Sequence, residues 1–364
     1  MSFQTSLILS NKIDAFLTLV RLGIGHPAYG MPDVIDWQAI EALANQHGLS
    51  AIILDGVEKL PESKRPPQEL LLQWIGEVLQ EYEQRYKNYC NAIAELAEFY
   101  NTHHYRMMIL KGYACSLDWP RPEHRPCGDI DIWQFGEQKY ADACLSEVKQ
   151  IEIDYSQPHH TVFYWGEFIV ENHYDFLNVH HHKSNVELES ILKDLGRDDR
   201  HYVQLNGEWI CLPPPNLHAL FLLRHTIGHF AAEHVSLRQI LDWAFFVKAH
   251  KEEIDWKWLE KVVEQYGMTP IYQIINAICV EDLGFDSELF PEIKYYPFVK
   301  QRVLNEIINP EFGFGLPNGV VKRVIFKLRR WRGSSWKHKL CYRESMWSAF
   351  WSGIWSHVLK PKSI

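Results

Sequence analysis

The sequence predicts an α+β protein in which a small mixed β-sheet is flanked by N-terminal and C-terminal helical domains. Apolar residues recur at helical spacing through residues 1–104. Short strand-like runs separated by turn residues fill 105–212, and helical spacing returns after three consecutive prolines. We therefore expect a helical region at 1–104, an α/β core at 105–212, a helical domain at 213–310 and a basic, Trp-rich tail at 311–364.

The composition is typical of a globular protein, with 364 residues, 46% of them hydrophobic and 23% charged. A net charge of −9 argues against a dedicated binder of long nucleic acid, which carries a basic excess. The seven cysteines form no Cys-x-x-Cys pair, and no secretion signal is recognisable, so we expect free thiols and a cytoplasmic protein. No apolar run reaches the roughly 18 residues of a membrane-spanning helix.

The N-terminal hundred residues are interpreted as a helical platform without chemistry of its own. Asp36 is placed to cap a helix that ends at Gly48. The longest helical pattern runs from about 67 to 103 and leads directly into the apolar run at 107–110. That run is expected to form a buried strand, followed by a short helix.

The chemistry is concentrated in residues 106–133, which end on an Asp-x-Asp motif. Alternate side chains of a strand share a face, so Asp129 and Asp131 are expected to lie side by side while Ile130 and Ile132 enter the core. Two adjacent carboxylates repel each other unless a cation lies between them. Mg²⁺ suits such a site because it binds carboxylates and completes its shell with water and phosphate oxygens. The motif therefore predicts a site for Mg²⁺ (or Mn²⁺).

A third carboxylate is expected from a β-hairpin that turns near Gly166. On the second strand of this hairpin, Glu171 and His173 share one face. This makes Glu171 the natural partner of the two aspartates. His160 begins the hairpin near the predicted site, so we treat His160 and His173 as candidate substrate contacts.

These motifs resemble those of the polymerase-β-type nucleotidyltransferases, and most closely a bacterial branch of uncharacterised nucleotidyltransferases. The resemblance spans roughly residues 106–242. It is carried by Leu110-Lys111-Gly112, Arg125, Gly128-Asp129-Ile130-Asp131 and Glu171-Asn172-His173. One departure is that Tyr113 stands where the wider superfamily usually has a serine that holds the triphosphate.

The resemblance implies transfer of a nucleoside monophosphate from an NTP to an acceptor hydroxyl, with release of pyrophosphate. Two Mg²⁺ ions would be held by the catalytic carboxylates Asp129, Asp131 and Glu171. Glu171 would also take the acceptor's proton. Nucleotide-binding roles would fall to Lys111, Gly112, Arg125 and Gly128.

The first helix after the prolines carries a His-x-x-x-His pattern that the resembling family shares. His225 and His229 have the spacing of zinc-protease ligands, but Thr226 occupies the position where the protease motif needs Glu. Arg238 and Asp242 follow four residues apart, so we expect them to pair along their helix. Their alternative role is to orient the nucleotide, which makes both candidate substrate contacts.

The tail from 320 to 364 differs from the rest of the chain in its charge. Eleven Lys or Arg residues against the single acid Glu344 give it a formal charge of +10, which leaves −19 for the other residues. Five tryptophans lie among these charges. This composition suits peripheral contact with an anionic membrane or a nucleic acid. It equally suits a final helix pair that packs its tryptophans against the acidic body.

Two alternative functions remain open at this stage. A metal-dependent glycosyltransferase also uses Asp-x-Asp, although that fold builds several parallel strands before its motif and the preceding residues here are helical. The other alternative is a catalytically inactive nucleotide-binding or scaffold protein. The acceptor of an active enzyme remains open between a small molecule, a protein and an RNA end.

Overall fold

A six-stranded mixed sheet organises the computed structural model, which describes residues 3–27, 30–180, 182–198, 200–313 and 317–346. Its strands are β1 (Met108–Ile109), β2 (Ile130–Trp133), β3 (His160–Trp165), β4 (Phe168–His173), β5 (Tyr202–Leu205) and β6 (Glu208–Cys211). Their order is β3-β4-β2-β1-β6-β5. β2 pairs in parallel with β4 and antiparallel with β1, whereas β1 pairs in parallel with β6. The predicted α+β class with a mixed sheet is therefore confirmed.

Helices precede, interrupt and follow this sheet. Before it lie α1 (Phe3–Gly23), α2 (Trp37–His47), α3 (Ser50–Glu58), α4 (Gln68–Glu77) and α5 (Arg85–Thr102). Between the strands lie α6 (Lys111–Ser116), α7 (Gln138–Lys149) and α8 (Lys183–Leu195). After it lie α9 (Pro215–Ala232), α10 (Leu237–His250), α11 (Trp256–Gln265), α12 (Thr269–Ala277), α13 (Pro297–Ile308), α14 (Val320–Gly333) and α15 (Ser335–Cys341).

Local sequence signals account for several helix boundaries. The Asp36 carboxylate accepts a hydrogen bond from the backbone N–H of Ala39 at 3.1 Å, which satisfies one of the free donors at the start of α2. Gly48 ends the same helix in the left-handed conformation, at φ +64°. The long helical pattern at 67–103 is present as α4 and α5, joined by a π-helical segment at Val78–Gln84.

The sheet separates two hydrophobic cores. Ile130, Ile132 and Val170 face the core that α5 and α7 close. Met108 and Trp133 face the other core, to which α9 contributes. Because side chains alternate along a strand, Asp131 and Glu171 point away from the first core and toward the side where α9 lies. The alternation of β2 and β4 thus fixes which face of the sheet carries the acids.

The N-terminal and C-terminal helical regions share one hydrophobic core, which includes Phe16 and Ile53 from the former and Phe221 and Phe245 from the latter. A buried histidine joins them. His47 at the end of α2 accepts a hydrogen bond from the first N–H of α10 and donates one to the carbonyl of the last residue of α13. The two helical regions are therefore packed against each other around the sheet.

The described part of the tail divides into two structural roles. In α15, Lys337 is 2% exposed and forms an ion pair with Glu306 at 2.7 Å, so this helix is packed structure. In α14, by contrast, Ile325 and Leu328 are each 52% exposed. The tryptophans beyond residue 346 lie outside the described residues. Among the helices that are described, none is long and apolar enough to cross a membrane.

Candidate active site

The first part of the candidate site is a strained turn that follows β1. Lys111 has φ +35°, a conformation that non-glycine residues rarely adopt. At Gly112, an added Cβ would lie 2.4 Å from the Tyr89 hydroxyl oxygen. That hydroxyl donates a hydrogen bond to the backbone carbonyl of Asp129 at 2.7 Å. Tyr89 therefore joins the Lys-Gly turn to the Asp-x-Asp strand, and only glycine leaves room for it.

The pairing of β2 with β4 assembles the charged residues. Their parallel register places Asp131 beside Glu171 and Trp133 beside His173. Lys111 Nζ lies 2.8 Å from Asp131 Oδ1, and His173 Nε2 lies 3.0 Å from the same oxygen. His173 Nε2 is also 3.6 Å from Glu171 Oε2. Two acids from neighbouring strands thus converge with one lysine and one histidine.

Burial makes the charges of this cluster interdependent. Burial by itself would raise the pKa of Asp131, but Lys111 and the hydrogen bond from His173 outweigh it and hold that pKa below its usual value. The pKa of Glu171 is likewise lowered, because the His173 contact exceeds the opposing effect of burial. Both acids are therefore ionised at neutral pH. Lys111 Nζ, 2.8 Å from Asp131 Oδ1, is the positive charge nearest to that acid.

Asp129 occupies a different position from the one its motif suggested. It lies one residue before β2 and is exposed, whereas Asp131 is 2% exposed. Repulsion from Asp131 raises the pKa of Asp129. Among the described residues, two groups have ligand atoms that all lie within 4.8 Å of one another: Asp131, Glu171 and His173, and then His159, His160 and His173. Asp129 belongs to neither group, so the structure brings together two of the three expected carboxylates.

The donor set of the first group fits a divalent cation. Asp131 and Glu171 offer carboxylate oxygens, which Mg²⁺ and Mn²⁺ prefer, and His173 offers a ring nitrogen. Burial by itself would lower the pKa of His173, but its hydrogen bonds to Asp131 and Glu171 raise it above its ordinary value. Beside Lys111, the second positive charge at the two acids is therefore carried by this ring or by a bound cation. The histidine was not anticipated as a ligand from the sequence, although its position on the Glu171 face of β4 was the available signal.

The wall opposite the sheet is formed by α9. Lys111 Nζ lies 5.8 Å from the centre of the Phe221 ring, and His225 follows one turn later. The ring centres of His225 and His229 are 4.4 Å apart. Burial, and then the nearby Lys111 charge, hold the pKa of His225 well below its ordinary value, so this histidine is neutral. The His-x-x-x-His pattern therefore lines the site as uncharged rings.

Arg125 and Asp242 form a buried ion pair with two hydrogen bonds. Arg125 Nε donates to one carboxylate oxygen at 2.7 Å, and its terminal nitrogen donates to the other at 2.9 Å. The Trp119 indole N–H donates to the same carboxylate at 2.9 Å. Our expectation that Arg238 pairs with Asp242 along α10 is therefore wrong. Arg238 instead donates to the backbone carbonyl of Pro126 at 3.2 Å, because Arg125 occupies both carboxylate oxygens.

Two further candidate residues, Gly128 and His160, differ in their surroundings. Gly128 is exposed, and a Cβ added there would meet nothing within 4 Å, so its absence of a side chain is not required by packing. His160 is 7% exposed, and its Nε2 lies 3.7 Å from Glu171 Oε1. His160 is therefore adjacent to the acid cluster, whereas Gly128 is an exposed residue one position before Asp129.

Comparison with known proteins places the chain in a class that agrees with this geometry. It belongs to the family described as uncharacterised nucleotidyltransferases, whose model matches residues 33–284. A solved structure similar to the chain is that of an antigenic nucleotidyltransferase-like protein from Paracoccidioides brasiliensis. The similarity has 14% identity and a TM-score of 0.34, and covers 48% of this chain and 85% of that one. No curated protein matches the chain in sequence.

Proposed function

We propose that the protein transfers a nucleoside monophosphate from an NTP to an acceptor hydroxyl. The acceptor oxygen attacks the α-phosphorus, the bond from that phosphorus to the bridging oxygen breaks, and pyrophosphate leaves. The observation that carries this proposal is the convergence of Asp131 and Glu171 beside the Lys111-Gly112 turn, in a member of a nucleotidyltransferase family. Family membership also favours this reaction over the glycosyltransferase alternative.

The acids would hold the divalent cations that such a transfer uses. The proximity of Asp131 to Glu171 supports this, and Asp129 would join them from its exposed position before β2. When bound, Mg²⁺ or Mn²⁺ would neutralise charge on the phosphoryl oxygens and on the acceptor oxygen. We propose that two such ions take part, as in the expected mechanism.

Lys111 would exchange partners when the nucleotide binds. Its ammonium group now contacts Asp131, on a flexible stem of four carbons. A cation bound by Asp131 would release the lysine toward the triphosphate. Gly112, which cannot carry a side chain beneath Tyr89, would leave its backbone open to the phosphates. The turn would thus bind phosphate through the Lys111 ammonium group and through the backbone of Gly112.

Glu171 is the proposed acceptor of the hydroxyl proton. Its side chain is 24% exposed, whereas Asp131 is buried, so it is the acid of the pair that an incoming hydroxyl can approach. Its lowered pKa keeps it ionised and therefore able to take a proton. Arg125 was expected to bind the triphosphate. That function would require Arg125 to leave Asp242, so we propose that Arg125 instead holds in place the loop that leads to Asp129.

The direct test incubates the full-length protein with each NTP in turn and with Mg²⁺ or Mn²⁺. Release of pyrophosphate and a mass increase of one nucleoside monophosphate on an acceptor, or on the protein itself, would support the proposal. The Asp131→Asn variant serves as the control and should release none. NTP binding without pyrophosphate release for all four nucleotides, with candidate acceptors supplied, would support the inactive nucleotide-binding alternative.

A separate proposal concerns the exposed face of α14. Ile325 and Leu328 lie on this face together with exposed Lys322, Arg329 and Arg332. Large apolar side chains flanked by cations are typical of a helix that lies in a lipid interface. A nucleic acid would use the cations but not the aliphatic side chains. We therefore propose peripheral contact with an anionic membrane rather than with RNA.

A further inference from the structure

The hydrogen bond of His173 fixes which of its nitrogens is available to a ligand. Its Nδ1 lies 3.2 Å from the backbone carbonyl of Asp175, and a carbonyl can only accept, so Nδ1 carries a proton. Its Nε2 faces Asp131 Oδ1, 3.0 Å away, with Glu171 Oε2 at 3.6 Å. In the protein chain alone, a second proton on Nε2 makes the contact with Asp131 a hydrogen bond. A metal ion held by the two acids would replace that proton and accept the Nε2 lone pair.

The arrangement has the features of a metal-binding histidine. Such histidines usually donate their second ring N–H to a carbonyl or carboxylate, which orients the ring. His173 is 2% exposed, so its ring cannot turn away. The separations of His173 Nε2 from Asp131 Oδ1 and Glu171 Oε2 agree with the roughly 3–4 Å between neighbouring ligand atoms expected around an ion about 2.1 Å from each of them.

A neighbouring histidine adds a second, independent observation. His160 is 7% exposed, and its Nδ1 has no hydrogen-bond partner in the described part of the chain. Its ring centre lies 5.1 Å from that of His173. A buried ring nitrogen without a partner is costly unless something not present in the protein chain satisfies it. The wall of the site beside Glu171 is therefore rich in nitrogen donors.

We infer that His173 is a metal ligand and that Asp131, Glu171 and His173 together prefer a transition-metal ion of the Mn²⁺ to Zn²⁺ series over Mg²⁺. Mg²⁺ takes oxygen ligands and gives up its water reluctantly, so an imidazole offers it little. Mn²⁺ and its heavier neighbours accept both carboxylate and imidazole. This inference rests on the proposed function only in using the same carboxylates, because metal binding can be measured without any reaction.

The first experiment measures binding of Mn²⁺ and Mg²⁺ separately to the metal-free full-length protein by calorimetry. We expect Mn²⁺ to bind at least ~10-fold more tightly than Mg²⁺. His173→Gln should weaken Mn²⁺ binding by ~10–100-fold and change Mg²⁺ binding only a few-fold. The matched control is His104→Gln, which alters an exposed histidine outside both ligand groups and should leave Mn²⁺ affinity unchanged.

The second experiment uses the wild-type protein and so does not depend on the folding of a variant. Pulsed electron paramagnetic resonance of bound Mn²⁺ should show coupling to an imidazole nitrogen. Absence of that coupling, or equal affinities for the two metals, would overturn the inference and would leave an oxygen-only site that still permits the proposed transfer. Pyrophosphate release that fails while nitrogen-coupled Mn²⁺ is bound would overturn the proposed function alone.

Discussion

His47 and His173 are both buried, and each donates one ring N–H to a backbone carbonyl, but their second nitrogens meet opposite partners. In the helical junction, His47 Nδ1 accepts a hydrogen bond from the Leu237 N–H at 3.1 Å. In the sheet, His173 Nε2 faces the carboxylate of Asp131 at 3.0 Å. The second nitrogen of His47 meets a donor, whereas that of His173 meets only acceptors. His47 is therefore satisfied as a neutral ring, and His173 needs a positive charge, which either a second ring proton or a bound cation supplies.

The comparison separates two kinds of buried polar cluster. Clusters of the first kind contain their own donors and acceptors, so they stabilise the fold and bind nothing. Asp142 is another example, since its carboxylate accepts hydrogen bonds from Thr161, Asn172 and Gln138. The site cluster instead holds two ionised acids beside one lysine and one histidine, so its charge balance depends on protons or on bound cations. We expect substitutions in the first kind to reduce stability and substitutions in the second kind to reduce binding or turnover.

The largest expected effect is on the Arg125–Asp242 pair, which belongs to the first kind. Asp242→Leu should lower the free energy of unfolding by about 3–5 kcal/mol, because it leaves the Arg125 guanidinium buried without a counter-charge. Urea unfolding monitored by tryptophan fluorescence measures this. The double variant Arg125→Met/Asp242→Leu should recover much of the loss. A loss below about 1 kcal/mol for Asp242→Leu would mean that the pair is not a stabilising element.

From the burial of His47 between the two helical regions, we expect the stability of the protein to depend on pH. Burial lowers the pKa of His47 from 6.5 to about 4. Between these values the unfolded chain binds a proton that the folded protein does not, so the free energy of unfolding falls as the pH falls from 6.5 to 4. The neutral His47 contributes up to about 3 kcal/mol to the free energy of unfolding, and this contribution is fully present above pH 6.5.

His47→Leu tests that dependence. The variant should be less stable than the wild type at pH 7.5, because the Leu237 N–H and the Ile308 carbonyl each lose a partner. It should, however, lose less stability on acidification. Urea unfolding at several pH values gives both curves, and histidines that titrate in both proteins cancel in the difference. Parallel curves would show that His47 does not remain neutral in the folded state.

Glu171→Gln tests the site cluster, which we expect to affect binding or turnover rather than stability. We expect product formation to fall by at least ~10²-fold, the usual scale for a positioned base, while NTP binding stays within a few-fold of wild type. The free energy of unfolding should change by less than about 1 kcal/mol, because Glu171 is partly exposed. If NTP binding is lost together with turnover, Glu171 is a nucleotide-site ligand only. If turnover persists, Glu171 is not the proton acceptor.

The smallest expected effects are on the exposed face of α14, far from either kind of cluster. Full-length protein should sediment with phosphatidylcholine vesicles only when they contain phosphatidylserine. Arg329→Gln/Arg332→Gln should lose about 2 kcal/mol of that binding, at about 1 kcal/mol per charge. Ile325→Ser/Leu328→Ser should also weaken it while leaving stability unchanged, since both side chains are exposed. Binding to RNA but not to vesicles would refute the membrane proposal.

Much of the local structure was predictable because it depends on short-range rules. The alternation of a strand placed Ile130 and Ile132 in the core, and the same rule gave Glu171 and His173 a common face. The cap at Asp36 and the hairpin at Gly166 follow from backbone chemistry within a few residues. The Lys-Gly turn and the Asp-x-Asp motif were likewise visible as patterns.

The sequence by itself therefore determined the elements, their buried faces and the acids that we propose as metal ligands. Only the tertiary structure decided which partners those side chains take. Asp242 binds Arg125, 117 residues away, rather than Arg238 in the same helix. Two parallel hydrogen bonds in a buried setting exceed what an i, i+4 contact on a helix surface offers. Likewise, β4 lies beside β2 although α7 and β3 separate them in sequence, and that adjacency brings His173 to Asp131.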